Sequence, residues 1–374
     1  MTWATHEGGT GYAYGYGITS LSDGSSIVTG YFEGTASFGD TTLTSAGIYA
    51  AFIAKLNADG SYAWATKAGG SGYDNGYGIT SLSDGSSIVT GAFRGTESFG
   101  DTTLTSAGDT DVFIAKLNAD GTYAWATKAG SSVYGEGRGI TSLSDGSSIV
   151  TGSFRGTASF GDITLTSAGG SDVFIAKLNA DGSYAWATKA GGSSGDYGRR
   201  ITSLSDGSSI VTGYFYETAS FGDTTLTSAG SYDAFIAKLN ADGSYAWATK
   251  AGGSSHDYAY DITSLSDGSS IVIGRFQGTA SFGDTTLTSA GTSDVFIAKL
   301  NADGSYAWAT KAGGSSYDNG RGITSLSDGS SIVTGYFYET ASFGDTTLTS
   351  AGSYDAFIAK LNADGSYAWA TKAG

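Results

Sequence analysis

The sequence predicts an all-β protein, a six-bladed β-propeller with four antiparallel strands per blade and a 61-residue repeat. Three observations predict it. Ile18, Ile79, Ile140, Ile201, Ile262 and Ile323 open one phrase, ITSLSDGSSIV, at a constant step of 61. A fixed long period of this kind marks a solenoid, a propeller or an array. Asp-Gly pairs such as Asp23-Gly24 and Asp59-Gly60 stand between alternating apolar runs, the strongest short hairpin signal. No stretch carries helical periodicity over the roughly ten residues a helix needs.

Residues 10–70 show the unit in order. Strand a, in GITSL, ends at Asp23-Gly24, and the β-branched and aromatic run SSIVTGYFEGTASF is strand b. Strand c is AFIAKL, closed by Asp59-Gly60, and strand d is SYAWATKAG. Both Asp-Gly turns are expected as type I′, which needs positive φ. In strand c, Phe52, Ala54 and Leu56 share one side and Ile53 lies on the other, so both faces are apolar, as packing between neighbouring sheets requires. Trp64, Phe32, Phe38 and Phe52 are read as core. A parallel β-helix fits less well, because its coils are shorter and lack repeated Asp-Gly hairpins.

The blades run over 10–70, 71–131, 132–192, 193–253, 254–314 and 315–374, in a single domain spanning 1–374. Residues 1–9 form an extra copy of strand d, since Trp3 matches Trp64 and the series continues to Trp369. Sheets avoid exposed edges that would pair with other chains. The C-terminal copy, which follows its own strand c through a short turn, is therefore expected to complete the last blade. Closure by the N-terminal copy and strand exchange between molecules are the alternatives to this monomeric reading.

The wording resembles a known family, the bacterial β-propeller repeats labelled SBBP. The resemblance rests on YGITSLSDGSSIVTGYF, GTASFG, LTSAG, DAFIAKLNADG and WATKAGG, and covers essentially every unit. It implies a propeller of exported or cell-surface bacterial proteins, without an assigned activity. The near-identity of the copies departs from the family and points to recent amplification or deliberate construction.

Composition narrows the functional classes. The chain has no cysteine and no proline, so disulfide and thiolate chemistry are excluded. The net charge of −16 disfavours nucleic acid, which is bound through lysine and arginine on phosphates, and anionic membranes likewise. No apolar run approaches the ~18 residues of a membrane span, and MTWATHEGGTG lacks the form of a secretion signal. The chain is read as soluble.

The six copies differ in three patches. The first comprises the six residues before each Ile: YAYGYG, YDNGYG, YGEGRG, GDYGRR, HDYAYD and YDNGRG. The second is in strand b, at Tyr31, Glu33, Gly34 and their equivalents. The third precedes strand c, as IYA, DTD, GSD, SYD and TSD. In an a-b-c-d meander the b–c and d–a connections share one end, so these patches are expected on one face, with the Asp-Gly turns forming an acidic face opposite. Every arginine lies in a variable column and every lysine in a fixed one, while 18 of the 24 tyrosines are variable. Tyrosine supplies contact area at low entropic cost and arginine supplies forked hydrogen bonds. The pattern predicts a non-enzymatic binding face for a macromolecule, a protein in preference to a glycan. An engineered or recently amplified propeller without a selected ligand is the remaining alternative. The candidate ligand-binding residues are Tyr16, Tyr31, Glu33, Tyr77, Arg94, Arg138, Arg155, Arg199, Tyr214, Tyr216, Tyr260, Arg275, Gln277, Arg321, Tyr336 and Tyr338. Replacing Arg155 or Tyr336 with Ala is expected to shift stability by no more than ~0.5 kcal/mol.

Other chemistry is weaker. Histidine occurs only as His6 and His256, which excludes a repeated Ser-His-Asp or metal-histidine site. Glu33, Glu136, Glu217 and Glu339 lack a fixed second carboxylate for acid–base work. The turn with Asn57, Asp59 and Ser61 lacks the spaced carboxylates of a calcium loop. No helix follows Gly15 and Gly17 to make a phosphate site. No cofactor and no metal site are expected.

Overall fold

The computed structural model describes residues 8–374. Among them there is no helix, and every pair of strands is antiparallel. No helix is long and apolar enough to cross a membrane. The chain divides into two compact units, residues 1–167 with 173–189 and residues 168–172 with 190–374. Each is described by itself.

In the first repeat, strands a (Ala13–Ser20), b (Ser26–Phe32), c (Ala50–Leu56) and d (Tyr62–Ala68) form a four-stranded sheet in the order a-b-c-d. The same meander recurs in each of the six repeats. The b–c connection carries a further hairpin, b′ (Thr35–Phe38) and c′ (Thr41–Thr44). Gly39, at φ +59, leads its two-residue turn, as a type II′ turn requires. The run read as a single strand b is broken at Gly34, where φ is +66.

This hairpin docks on the preceding repeat. The end of strand d pairs with b′ of the next repeat, as in Ala129↔Phe160, Gly130↔Ser159 and Ser131↔Ala158. Gly252↔Ser281 and Gly313↔Ser342 repeat the pattern in the second unit. A Cβ on Gly253 would lie 1.9 Å from the Thr279 carbonyl oxygen, whereas in the second repeat the same column holds Ser131, which pairs with Ala158. Of the strand expected at residues 1–9, Gly8 and Gly9 pair in the same way with Ser37 and Ala36. The rest of that strand, with Trp3 and His6, lies outside the described residues. Strand Tyr367–Ala373 completes the sheet of the sixth repeat.

The fourth and sixth repeats replace the broken strands with long ones, Ser209–Phe221 with Thr224–Leu239 and Ser331–Phe343 with Thr346–Leu361. Cross-strand aromatic pairs, Tyr216↔Tyr232 and Tyr338↔Tyr354, carry the ladder through the break. There Glu217 and Glu339 adopt φ +60 and +61, where four other repeats have glycine. This left-handed backbone strains any residue bearing a Cβ.

The core lies between consecutive repeats. An aliphatic face meets an aromatic one: Ile27, Ala51 and Ile53 pack on Phe93, Phe99 and Phe113 of the next repeat. Ile271, Ile273 and Ile297 pack likewise on Phe337, Phe343 and Phe357. The alternation read in strand c is therefore correct on both faces. Ile53 is fully buried and Ile358 of the sixth repeat is 41% exposed. Trp64 is only half-buried. It leaves the core to lie on the next repeat's turn, donating Nε1–H to the Ala119 carbonyl at 3.0 Å.

The Asp-Gly turns are not type I′. Leu21 and Gly24 close a turn in which only Gly24 has positive φ, a type I turn followed by a glycine bulge. Asp23 stays right-handed because its Oδ1 accepts the Ser25 backbone N–H at 2.9 Å. The fixed serines and threonines link repeats: Ser81 Oγ donates to the Ser20 carbonyl and Ser142 Oγ to that of Ser81.

Two substitutions test these constraints. Glu217→Gly relieves the left-handed strain and raises the unfolding free energy by up to about 1 kcal/mol in chemical denaturation. Gly121→Ala meets both φ +87 and the Trp64 ring at 2.6 Å, and costs about 1–3 kcal/mol by the same measurement.

Candidate functional site

The candidate face is set by β-bulges. In strand a of the first repeat Gly15 pairs with Gly30 and Gly17 with Thr29, leaving Tyr16 unpaired between them. Tyr77, Arg138, Arg199, Tyr260 and Arg321 occupy the same unpaired position in the other repeats. A bulge re-aims one side chain and recurs next to functional sites. Six of the sixteen candidates are therefore bulge residues.

In the first unit the bulge side chains of successive repeats stack. The rings of Tyr16 and Tyr77 lie 5.2 Å apart, and the Arg138 guanidinium lies 3.7 Å from the Tyr77 centroid. Tyr31 joins them, 5.8 Å from Tyr16, 5.1 Å from Tyr14 and 4.7 Å from Tyr49. Burial, then the neighbouring phenols, push the Tyr31 hydroxyl up to about 12, so it remains a neutral donor. Tyr12, Tyr14 and Tyr16 are exposed. Glu136 is buried between the Tyr134 hydroxyl and Arg138, so it neutralises that arginine.

In the second unit the bulge residues meet the second patch. Arg199 bonds the Tyr214 hydroxyl through Nη2. Tyr214 packs edge-on to Tyr258 at 4.5 Å. Arg275 lies 4.7 Å from the Tyr258 ring and 4.9 Å from Tyr317, with Nε donating to the Tyr260 hydroxyl at 3.1 Å. Arg321 lies over Tyr260 at 4.7 Å and donates to the Tyr336 hydroxyl at 3.2 Å. His256 stacks on Tyr258 and shares hydrogen bonds with Ser231 and the Tyr258 hydroxyl. Arg200 instead meets Asp261 at 3.7 Å. Asp261 in turn accepts the Ile262 and Ile323 N–H groups, so this pair joins repeats.

The other candidates lie at the margins of these clusters or outside them, Tyr216 and Tyr338 being joined to Tyr214 and Tyr336 through Tyr232 and Tyr354. Arg94 is exposed and pairs with Asp109 at 3.1 Å. Arg155 is exposed, and its carbonyl accepts Ser131. Glu33 and Gln277 serve through backbone N–H groups, to the Tyr12 carbonyl and to Asp257. Tyr216 and Tyr338 pack on Tyr232 and Tyr354. Glu217 and Glu339 accept serine hydroxyls, Ser194 and Ser316. In the Asn57 turn, Asp59 accepts both the N–H and hydroxyl of Ser61, which uses the carboxylate locally. Clefts of ≈ 300 and ≈ 320 Å³ between the turns at the opposite end recur with the same lining in two repeat pairs, as products of the fixed packing.

Most aspartates of the variable patches are structural, the exposed Asp109 being an exception. Asp74, Asp257 and Asp318 from the first patch, and Asp111, Asp233 and Asp294 from the third, are buried. Asp257 accepts the Gly253 and Gln277 N–H groups at 2.8 and 3.2 Å. Asp233 accepts Ala229 N–H and pairs with Lys250 at 2.8 Å. The junctions of the fourth with the fifth repeat and of the fifth with the sixth thus each bring two carboxylates and a lysine together, whereas the column facing Asp111 holds Gly135. The first repeat has Ala50 in place of the third-patch aspartate, and here Glu97 substitutes. It occupies a column that is alanine in the other repeats, buried beside Asp74 and Lys67. Burial raises Asp74 to about 8, with Glu97 adding, and raises Glu97 and Asp257 to about 7 and Asp318 to about 6.

No family model matches the chain. An uncharacterised WD repeat-containing protein of Acanthamoeba polyphaga mimivirus is similar, 23% identical over 477 aligned residues that cover all of this chain. The chain spans 34% of that relative's length. Among solved structures, a protein of unknown function from Bacteroides caccae aligns with TM-score 0.45 and 13% identity, over 86% of this chain and 90% of that one. The WD40 domain of Neurospora crassa Pan2 aligns with TM-score 0.42 and 9% identity, over 94% and 84%.

The raised carboxyls make stability pH-dependent. Between their unfolded values near 4 and folded values of about 6 to 8, the folded chain holds protons that the unfolded chain has released. Stability therefore falls as pH climbs through that window, read as a Tm that declines from pH 5 to pH 8. Asp257→Asn flattens part of that decline. Truncation separates the candidates: Arg155→Ala stays within about 0.5 kcal/mol in denaturant titration. Tyr214→Ala costs about 3 kcal/mol, because this ring is only 9% exposed.

Proposed function

We propose that this chain is a non-enzymatic recognition scaffold, a six-bladed β-propeller of 61-residue repeats that engages a protein at the end carrying the d–a and b–c connections. One observation carries the reading. A bulge in every repeat presents tyrosine or arginine, and these side chains form aromatic and cationic clusters with the patch in strand b. Tyr and Arg dominate binding hot spots because rigid rings and planar donors lose little entropy on contact. Fixed columns stack the repeats and leave the bulge column free to vary. The WD repeat-containing relative supports the propeller architecture. A glycan is the second reading, favoured by the exposed rings of Tyr12, Tyr14 and Tyr16, which offer open stacking platforms.

Panning a random peptide display library on the immobilised chain tests the proposal. The enriched peptides are expected to lose binding to a variant carrying Tyr16→Ser, Arg275→Ser and Arg321→Ser, with folding verified by circular dichroism. Peptides that bind both proteins alike would overturn it. Glycan-array signal that depends on Tyr14 and Tyr16 would favour the second reading.

A further inference from the structure

We propose that the second unit binds an acidic peptide segment through Arg199, Arg275 and Arg321. This rests on the recognition reading and gives its ligand a chemistry. Arg94, Arg138 and Arg200 each meet a carboxylate. Among the described residues, Arg199, Arg275 and Arg321 have no carboxylate within ion-pair distance. Arg155 of the third repeat also lacks a carboxylate partner among these residues and is exposed. The other three lie on consecutive repeats of one unit and are linked through tyrosines, in a chain of net charge −16.

Tyrosines hold them instead. The contacts run without a gap from Arg199 to Tyr214, Tyr258, Arg275, Tyr260, Arg321 and Tyr336. Each guanidinium lies against a ring and donates one hydrogen bond to a phenol. A neutral phenol fixes the fork without cancelling its charge, and burial keeps the Tyr214 and Tyr258 hydroxyls protonated. The remaining donors are thus preorganised for carboxylates, which guanidinium binds in a bidentate manner. The nearby aspartates are already used: Asp261 by Arg200, Asp233 by Lys250 and Asp294 by Lys311, while Asp257 and Asp318 accept backbone N–H groups.

A nucleic acid fits less well. The rings are stacked on one another and on the guanidinium groups, so N–H and O–H edges are offered where base stacking needs open ring faces. The net negative charge also repels a long phosphate chain, whereas a short acidic segment meets the three cations locally.

Fluorescence anisotropy of the whole chain tests this with three labelled probes, a Glu-rich peptide, its Gln-for-Glu counterpart and an oligothymidylate. The Glu peptide is expected to bind, more weakly as salt rises, and the Gln peptide at least about tenfold more weakly. Arg275→Gln and Arg321→Gln each weaken the Glu peptide by about tenfold or more. Arg275→Lys keeps the charge, loses the planar fork and weakens it by a few fold. Lys360→Gln, on a surface ion pair with Asp328, changes nothing. Arg321 is exposed, so its variant remains informative if Arg275→Gln unfolds. Equal binding of the two peptides, tighter binding of the oligonucleotide, no binding of the Glu peptide, or indifference to Arg321→Gln overturns the proposal. Face-dependent library peptides without acidic residues would overturn it too, while leaving the recognition reading standing.

Discussion

A shared strand end is the constraint on which the rest depends. Strand d runs beyond its own sheet, and its last residues pair with the b′ strand of the next repeat. This hydrogen-bonded step fixes the distance and rotation between neighbours within a unit. The aliphatic face of one sheet then meets the phenylalanines of the next in a repeated register. Glycine at most of these crossings leaves room for the neighbouring backbone carbonyl, and Ser131 takes its place in the second repeat.

That register makes the variable columns meaningful. Were the repeats packed at irregular offsets, a bulge residue in one would not meet its counterpart in the next. With the offset fixed, Tyr16 reaches Tyr77, Tyr77 reaches Arg138, and Tyr260 reaches Arg321. The same geometry concentrates carboxylates between repeats, where desolvation opposes their charge and lysines or backbone N–H groups offset it only in part. The junctions are therefore sensitive to protonation. The arginine clusters, held by phenols, keep their charge.

Much of this was legible in the chain itself. The six-fold phrase, the two apolar faces of strand c and the antiparallel meander follow from period and alternation. The Gly39-Asp40 turn was also written there and was obscured because b and b′ together read as one continuous β-rich run. The bulges were marked only by the glycines that flank Tyr16, Tyr77, Arg138 and Arg321, a pattern that also reads as a turn. The patch aspartates misled for a related reason. A column that differs between copies looks exposed, yet Asp257 and Asp233 are buried, and Glu97 makes good the loss at Ala50. Variation there is compensation between touching residues.

Local chemistry decided what one residue and its near neighbours can settle: strand, turn, glycine and the apolar sidedness of each strand. The sequence alone determined those, because they depend on steric and hydropathic preferences acting over a few positions. Which tyrosine touches which arginine, which carboxylate loses its water and which cation lacks a partner were decided by the tertiary structure. These are contacts between repeats some sixty residues apart. Nothing in the order of the letters reports a distance across that gap until the shared strand has fixed it.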